Sequence, residues 1–303
     1  MARGGLRTPR VPQSLPQRHL GGLDMGTYAV TGSASGMGRA TAERLRADGH
    51  RVIGVDVKEA DVVADLSTPD GRARAVSQVV SAAGGHLDGA VLAAGIGPGS
   101  GKGRLRLIAE VNYRGVVELL DGWRPALASA GNAKVVVVSS NSTTTTPLVP
   151  KRAVKALLAG DVDKAVRAVR LFGPVGSALI YAASKIAVSR WVRRHAIRPE
   201  WAGAGIRLNA LAPGAIMTPL LEEQLASKQQ AKAVQRFPVP VGGFGDAGQL
   251  ADWIRFMLSD AADFLCGSVI FVDGGTDAHF RTDDWPKPVP ARRLVSYLKR
   301  FRN

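Results

Sequence analysis

Three glycines and one acid mark the first place where residue type and spacing in this chain can do chemistry. Gly32, Gly36 and Gly38 follow a short apolar run, Tyr28–Val30, with the spacing G-x-x-x-G-x-G, and Asp56 lies 18 residues past Gly38. Glycines let a backbone turn sharply and approach a pyrophosphate with no side chain in the way. A helix starting near Gly36–Gly38 would aim its free N–H groups at those phosphates, with the helix dipole behind them. Asp56 can accept both ribose hydroxyls of an adenosine, and its charge repels a 2′-phosphate, so the pattern favours NAD(H) over NADP(H).

A second set stands further along. The run Lys134–Val138 ends in two hydroxyls, Ser139 and Ser140, and Tyr181 and Lys185 are four residues apart. That spacing puts a phenol and an ammonium on one helix face. Alone the pair is a weak signal, and its weight comes from its company. Asn112 sits inside a segment that otherwise reads as helix, where asparagine is mildly unfavourable. It either has a role beyond helix formation or is solvated or bonded to backbone.

The elements that must position these groups alternate in type. Tyr28–Val30, Val52–Val55, a short run ending at Asp65-Leu66, Leu87–Gly95, Lys134–Val138, Ile206–Leu211 and Ser268–Val272 read as buried strands. Between them the periodicity predicts helices from Gly38 to Asp48, from the turn at Thr68–Gly71 to Ser81, over Arg104–Leu127, from Ile180 to about Trp201, and over Ala247–Leu258. Residues 220–233 read as a helical flap and 143–146 as a polar loop at a pocket mouth. Strand alternating with helix predicts an α/β fold, a Rossmann-type doubly wound parallel sheet. In such sheets ligands bind at the carboxyl ends of the strands, so Gly36, Gly95 and Ser140 share one edge. Residues 147–178 interrupt one passage as a small helical insertion, with an amphipathic stretch from Ala153 to Arg170. Its apolar stripe needs cover from its own domain or from a second subunit.

Composition narrows the function. The 303 residues suit one large α/β domain, here 25–280, flanked by a basic tail at 1–24 and a basic extension at 281–303. No run of apolar residues is long enough to cross a bilayer. The single Cys266 allows no internal disulfide and no cysteine-cluster metal site, so a reducing compartment, the cytoplasm, is expected. The net charge of +15 is concentrated in three segments: +3 in 1–24, +4 in 147–178 and +5 in 281–303, leaving +3 for the rest. Charge gathered in appendages speaks for solvated tails and against a nucleic-acid groove. The three prolines of 1–24 oppose an amphipathic leader helix, and Met25 reads as an alternative translation start.

In order along the chain, Thr31-Gly-x-x-x-Gly-x-Gly38, Asp56, Ala94-Gly95, Asn112, Ser140, Tyr181-x-x-x-Lys185, Pro213-Gly214 and Asp273-Gly274-Gly275 resemble the motifs of the short-chain dehydrogenase/reductase family over about residues 25–280. Gly54-Val-Asp56, Ala64–Ser67, Gly95–Pro98 and the 41 residues from Ser140 to Tyr181 resemble its bacterial hydroxysteroid dehydrogenase/carbonyl reductase branch. The resemblance implies that Tyr181 is the general acid/base and that Lys185 favours its phenolate. It implies that Ser140 bonds the reacting oxygen and that Asn112 holds a relay water. Gly32, Ser35, Gly36, Met37, Gly38, Asp56 and Val57 would hold the adenosine and pyrophosphate. Asp65 and Leu66 would lie by the adenine, Ala94 and Gly95 by a ribose, and Pro213, Gly214, Ile216 and Thr218 by the carboxamide. Two positions depart from the pattern: Ala93 stands where asparagine is frequent, and Ile216 where a relative carries a hydroxyl.

The implied function is NAD(H)-dependent interconversion of a secondary alcohol and a ketone on a steroid-like or other bulky hydrophobic substrate. An aromatic, coniferyl-type alcohol is the alternative, and a non-catalytic dinucleotide-binding sensor or scaffold is the alternative of another class. The insertion implies a homodimer formed by another face. Leu294, Tyr297, Leu298 and Phe301 form a helical apolar stripe among basic residues. It is expected to dock on its own body or a partner subunit, with a membrane surface as the less favoured contact.

Overall fold

Val135–Val138 are buried on both faces, as the centre of a parallel sheet requires. The computed structural model describes residues 25–226, 231, 237–285 and 290–299. Its sheet has seven parallel strands in the order β3-β2-β1-β4-β5-β6-β9. These are β1 (Thr27–Thr31), β2 (Arg51–Asp56), β3 (Val62–Val63), β4 (Gly89–Leu92), β5 (Lys134–Val138), β6 (Arg207–Pro213) and β9 (Val269–Val272). A second, two-stranded sheet pairs β7 (Ile216–Met217) with β8 (Gly245–Asp246). The expected doubly wound architecture is therefore present. Strand order reverses between β1 and β4, which is where such sheets open a ligand crevice.

Two hydrophobic layers clamp the sheet. On one face α1 (Gly36–Ala47) and α10 (Ala247–Leu258) pack together through Ala42, Leu45, Leu250, Ile254 and Met257. On the other lie α2 (Pro69–Ala82), α3 (Arg104–Ala109), α4 (Gly115–Ala128) and α8 (Gly176–His195), around buried Trp123, Trp191 and Trp201. Helix starts follow local chemistry: Thr68 Oγ1 accepts the Gly71 N–H at 3.0 Å with Pro69 in the first turn, and Asp246 with Gln249 forms a capping box on α10.

Several boundaries differ from expectation. The helix over 104–127 is not uniform: Glu110–Arg114 forms a π-turn between α3 and α4, and Asn112 lies inside it. Such wide turns recur at functional sites. The Tyr181 helix starts at Gly176, straight after the turn Gly173–Val175, and stops at His195, four residues before Pro199. Tyr181 is thus inside the helix rather than at its start. Residues Ser142–Thr145 are one helical turn, α5, because the Thr143 and Thr145 hydroxyls donate back to the Ser140 and Asn141 carbonyls.

The insertion forms two helices, α6 (Lys151–Leu158) and α7 (Val162–Arg170). Its apolar stripe, Ala153, Val154, Leu157, Ala165 and Val169, is buried in the main core against α3 and α8. Of the two covers expected, the chain's own domain supplies it. The flap begins as α9 (Pro219–Ala226), while 227–230 and 232–236 lie outside the described residues. The tail at 1–24 and residues 286–289 and 300–303, with Phe301, lie outside them too. In the extension, α12 (Leu294–Leu298) leaves Leu294 and Leu298 about half exposed.

Candidate active site

The carboxyl edge of β1, β2 and β4 carries a cavity of about 410 Å³. It is lined by Gly32, Ser35, Gly36, Met37, Gly38, Asp56, Val57, Asp65, Leu66, Ala94, Gly95 and Thr218, all of them expected at a dinucleotide. The turn works by backbone. Gly32 has φ +70° and its N–H bonds the Val55 carbonyl at 2.8 Å, while Gly36 has φ +52°. A Cβ on Gly38 would lie 2.1 Å from the Gly32 carbonyl oxygen, so only glycine lets α1 start this close to the strand. Ser35 makes no side-chain cap and the first turn of α1 holds no acid, which leaves its positive end available. Asp56 Oδ2 accepts the Ala34 N–H at 3.1 Å and Oδ1 the Lys58 N–H at 3.2 Å, so backbone donors aim its carboxylate.

A second cavity of about 340 Å³ shares Met37, Ala93, Gly95, Ile96 and Thr218 with the first. Ser140, Tyr181 and Lys185 line it, with Pro213, Gly214 and Ile216. Ser140 comes from the end of β5, and Tyr181 and Lys185 from the middle of α8. The Ser140 side chain, whose Oγ accepts the Ser142 N–H at 3.1 Å, shares this cavity with Tyr181. Burial pushes the Tyr181 phenol up, and the Ser140 side chain opposes this in part. Lys185 Nζ donates to the Val138 carbonyl at 2.8 Å and lies 6.0 Å from the Tyr181 ring centre. Burial lowers the Lys185 pKa to about 8. In the protein alone, then, burial favours the protonated Tyr181 phenol.

Asn112 is fully buried and lines neither cavity. Its Oδ1 accepts the Ile96 N–H and its Nδ2 donates to the Ile96 carbonyl, both at 2.9 Å. Of the alternatives open from sequence, the side chain is bonded to backbone, and it thereby pins the loop after β4 at Ile96, a residue that lines both cavities.

Sequence reasoning passed over several groups. Arg72 is buried on α2. Its Nη1 donates to the Leu66 carbonyl at 3.0 Å and to Glu110 at 3.2 Å, and its Nε to Glu118. One guanidinium thus ties the adenosine-side loop to the π-turn of Asn112. Removing it would leave Glu110 with only the more exposed Arg106 and Arg114 at 3.5 and 3.9 Å, a costly change for a buried carboxylate. Pro98, Ala178, Leu221 and Phe237 line the second cavity with Thr145 and Thr146. They belong to no recurring spacing, and an isolated apolar residue gives no sign of which cavity it walls. Among the described residues there is no group of three or more metal-ligating side chains and no helix long and apolar enough to cross a membrane.

This edge, with a glycine turn, an aimed acid and a Ser-Tyr-Lys cluster at a switch point, defines a dinucleotide-binding oxidoreductase. The short chain dehydrogenase description matches residues 27–150, and an enoyl-(acyl carrier protein) reductase description matches 166–277. The chain belongs to the short-chain dehydrogenase family and is an oxidoreductase of that family. It is 38% identical over 257 residues to 3-alpha-hydroxysteroid dehydrogenase/carbonyl reductase of Comamonas testosteroni, covering 85% of this chain and 98% of the relative. The crystal structure of 3-alpha-hydroxysteroid dehydrogenase from Pseudomonas sp. B-0831, complexed with NADH, superposes with a TM-score of 0.80 at 42% identity. That match covers 86% of this chain and all of the other. Coniferyl-alcohol dehydrogenase of a Pseudomonas strain is 31% identical, covering 81% of this chain and 94% of the relative.

Proposed function

We propose that the protein uses NAD(H) to interconvert a secondary alcohol and a ketone on a bulky, largely apolar substrate of steroid-like class. The observation that carries the reading is the convergence of Ser140, Tyr181 and Lys185 on a cavity continuous with the one that Gly32 and Asp56 line. The residues fit the dinucleotide. The α1 N-terminus is open, the glycines bring backbone to the surface, and Asp56 is already aimed. Gly32, Ser35, Gly36, Met37 and Gly38 would hold the pyrophosphate, and Asp56 and Val57 the adenosine ribose. Asp65 and Leu66 would hold the adenine, and Ala94 and Gly95 the second ribose. Pro213, Gly214, Ile216 and Thr218 would hold the carboxamide. When bound, the nicotinamide supplies or accepts the hydride.

The chain's own residues handle the proton. Tyr181, protonated because it is buried, donates to a carbonyl oxygen that Ser140 fixes in place. In the opposite direction the phenol must lose its proton, and the nearby Lys185 cation favours the phenolate. A relay water at Asn112 would share the residue with the two bonds that its side-chain amide makes to Ile96.

The test is an absorbance screen of secondary alcohols and ketones, steroids and coniferyl-type alcohols included, with both dinucleotides. Turnover of ring ketones with NADH supports the reading. Turnover of coniferyl-type alcohols alone transfers it to the aromatic class. NADH binding without turnover of any of them favours a sensor or scaffold.

A homodimer in the cytoplasm completes the proposal. The insertion spends its apolar stripe on its own domain, whereas Trp253 and Phe256 on α10 and the fully exposed Phe264 shortly after it remain uncovered. Light scattering should give twice the chain mass, and a monomer or tetramer would reject the dimer.

A further inference from the structure

The substrate cavity has two walls that belong to neither the glycine turn nor α8. One is α5 with Thr146, directly after Ser140, and the other carries Phe237. Both are held from behind by the short helix that follows β9, α11 (Thr276–Phe280). On the first wall the Thr144 hydroxyl donates to the Asp277 carboxylate. Thr144 does not line the cavity, so this bond acts on the wall from outside. Arg281 grips the same carboxylate through Nε at 2.8 Å and Nη2 at 2.7 Å, and its guanidinium lies 5.7 Å from the Phe271 ring centre and 6.0 Å from that of Trp285. A parallel bond joins Asn141 Nδ2 to Asp273 Oδ2 at 3.4 Å, and Asp273 Oδ2 also accepts the Asp277 N–H at 2.7 Å. On the second wall Thr276 Oγ1 donates to the Pro238 carbonyl at 2.8 Å, and the Phe280 ring packs on Phe237 with centres 6.0 Å apart.

We infer that Asp277 and Arg281 are positioning residues that brace the substrate side of the cleft and set where the α5 wall stands relative to Ser140. The physical ground is charge-assisted bonding in a protected setting. A carboxylate held by a two-pronged guanidinium has little freedom, and a hydroxyl bonded to it inherits that restraint. Neither residue touches the dinucleotide cavity, so the brace acts on substrate and leaves the cofactor alone. The inference rests on the reading of Ser140 and Tyr181 as the reacting centre.

Its test is a double-mutant cycle with Thr144→Val and Asp277→Ala in the full-length protein. Each single variant should raise KM for a ketone about tenfold, equivalent to about 1.4 kcal/mol, with NADH affinity within about twofold of wild type. The double variant should be no worse than Asp277→Ala alone, because both substitutions break the Thr144–Asp277 contact. Thr144→Ser should restore wild-type KM. Hydrogen exchange gives a readout that needs no turnover: Asp277→Ala should speed exchange of the amides of 142–146 and leave 32–38 unchanged. Unchanged exchange at 142–146, additive KM effects, or a loss of NADH affinity that tracks the rise in KM would each overturn the brace. A wild type that turns over no alcohol or ketone would instead count against the proposed reaction, while exchange still decides the brace.

Discussion

The two connected cavities do their work by opposite means. The dinucleotide side, from β1 to β4, is shaped by backbone: positive-φ glycines, an uncapped helix start and one acid held by main-chain donors. The substrate side gathers side-chain functional groups from β5 and α8 and sets them against walls on α5 and α9. The first is local in sequence and depends on the absence of atoms. The second joins residues far apart in the chain and depends on polar contacts made inside protein, where burial shifts both Tyr181 and Lys185 away from their ordinary titration ranges. A cofactor common to many reactions can be met by a fixed turn, whereas a particular substrate must be met by walls that vary.

If that contrast is right, each side should fail in its own way. The largest effect belongs to Tyr181→Phe. Loss of the phenol oxygen that exchanges the proton in the proposed reaction should lower kcat about 10³-fold, with NADH affinity by fluorescence within about twofold of wild type. Equal losses in both would merge the two sides.

Next comes Lys185, whose folded pKa of about 8 stands against 10.5 in an open chain. Between those pH values the unfolded chain binds more protons than the folded one, so stability rises with pH across that window. Relative to Lys185→Met, the unliganded wild type should gain roughly 3 kcal/mol in urea unfolding from pH 8 to 10.5. A flat difference would put Nζ in water.

On the dinucleotide side, Gly38→Ala forces a Cβ to 2.1 Å from the Gly32 carbonyl oxygen. Overpacking of this kind costs about 1–3 kcal/mol, and NADH affinity should fall on the order of 100-fold. Unchanged affinity would show that the turn can shift freely. The smallest effect is expected from Asp56→Ala, about a tenfold loss of NADH affinity from one charge-assisted contact, with discrimination against NADPH relaxed. Unchanged preference would mean that the ribose is read elsewhere.

The same contrast explains what could be read from the chain alone. The glycine spacing, Asp56 and the strand–helix alternation are local patterns with one backbone meaning, and they led to the observed sheet and the first cavity. Tyr181 and Lys185 were legible as a pair because a helix fixes i and i+4 on one face. The π-turn at Glu110–Arg114 was not, since nothing in its residue types distinguishes it from the flanking helix and tertiary packing decides the local hydrogen-bond register. Arg72 was invisible for a similar reason: an arginine on an amphipathic helix reads as solvated, and only Glu110, Glu118 and the Leu66 carbonyl make its burial tolerable. The brace from Asp277 to Thr144 joins residues 133 apart, beyond any local signal.

The hairpin between α6 and α7 has a practical consequence. Gly160, at its tip, faces open space, and the helices beneath are anchored by a buried stripe. A fluorophore or an affinity tag grafted there would ride on a firm base, giving experimenters a handle for tethering or imaging the enzyme while its chemistry runs undisturbed.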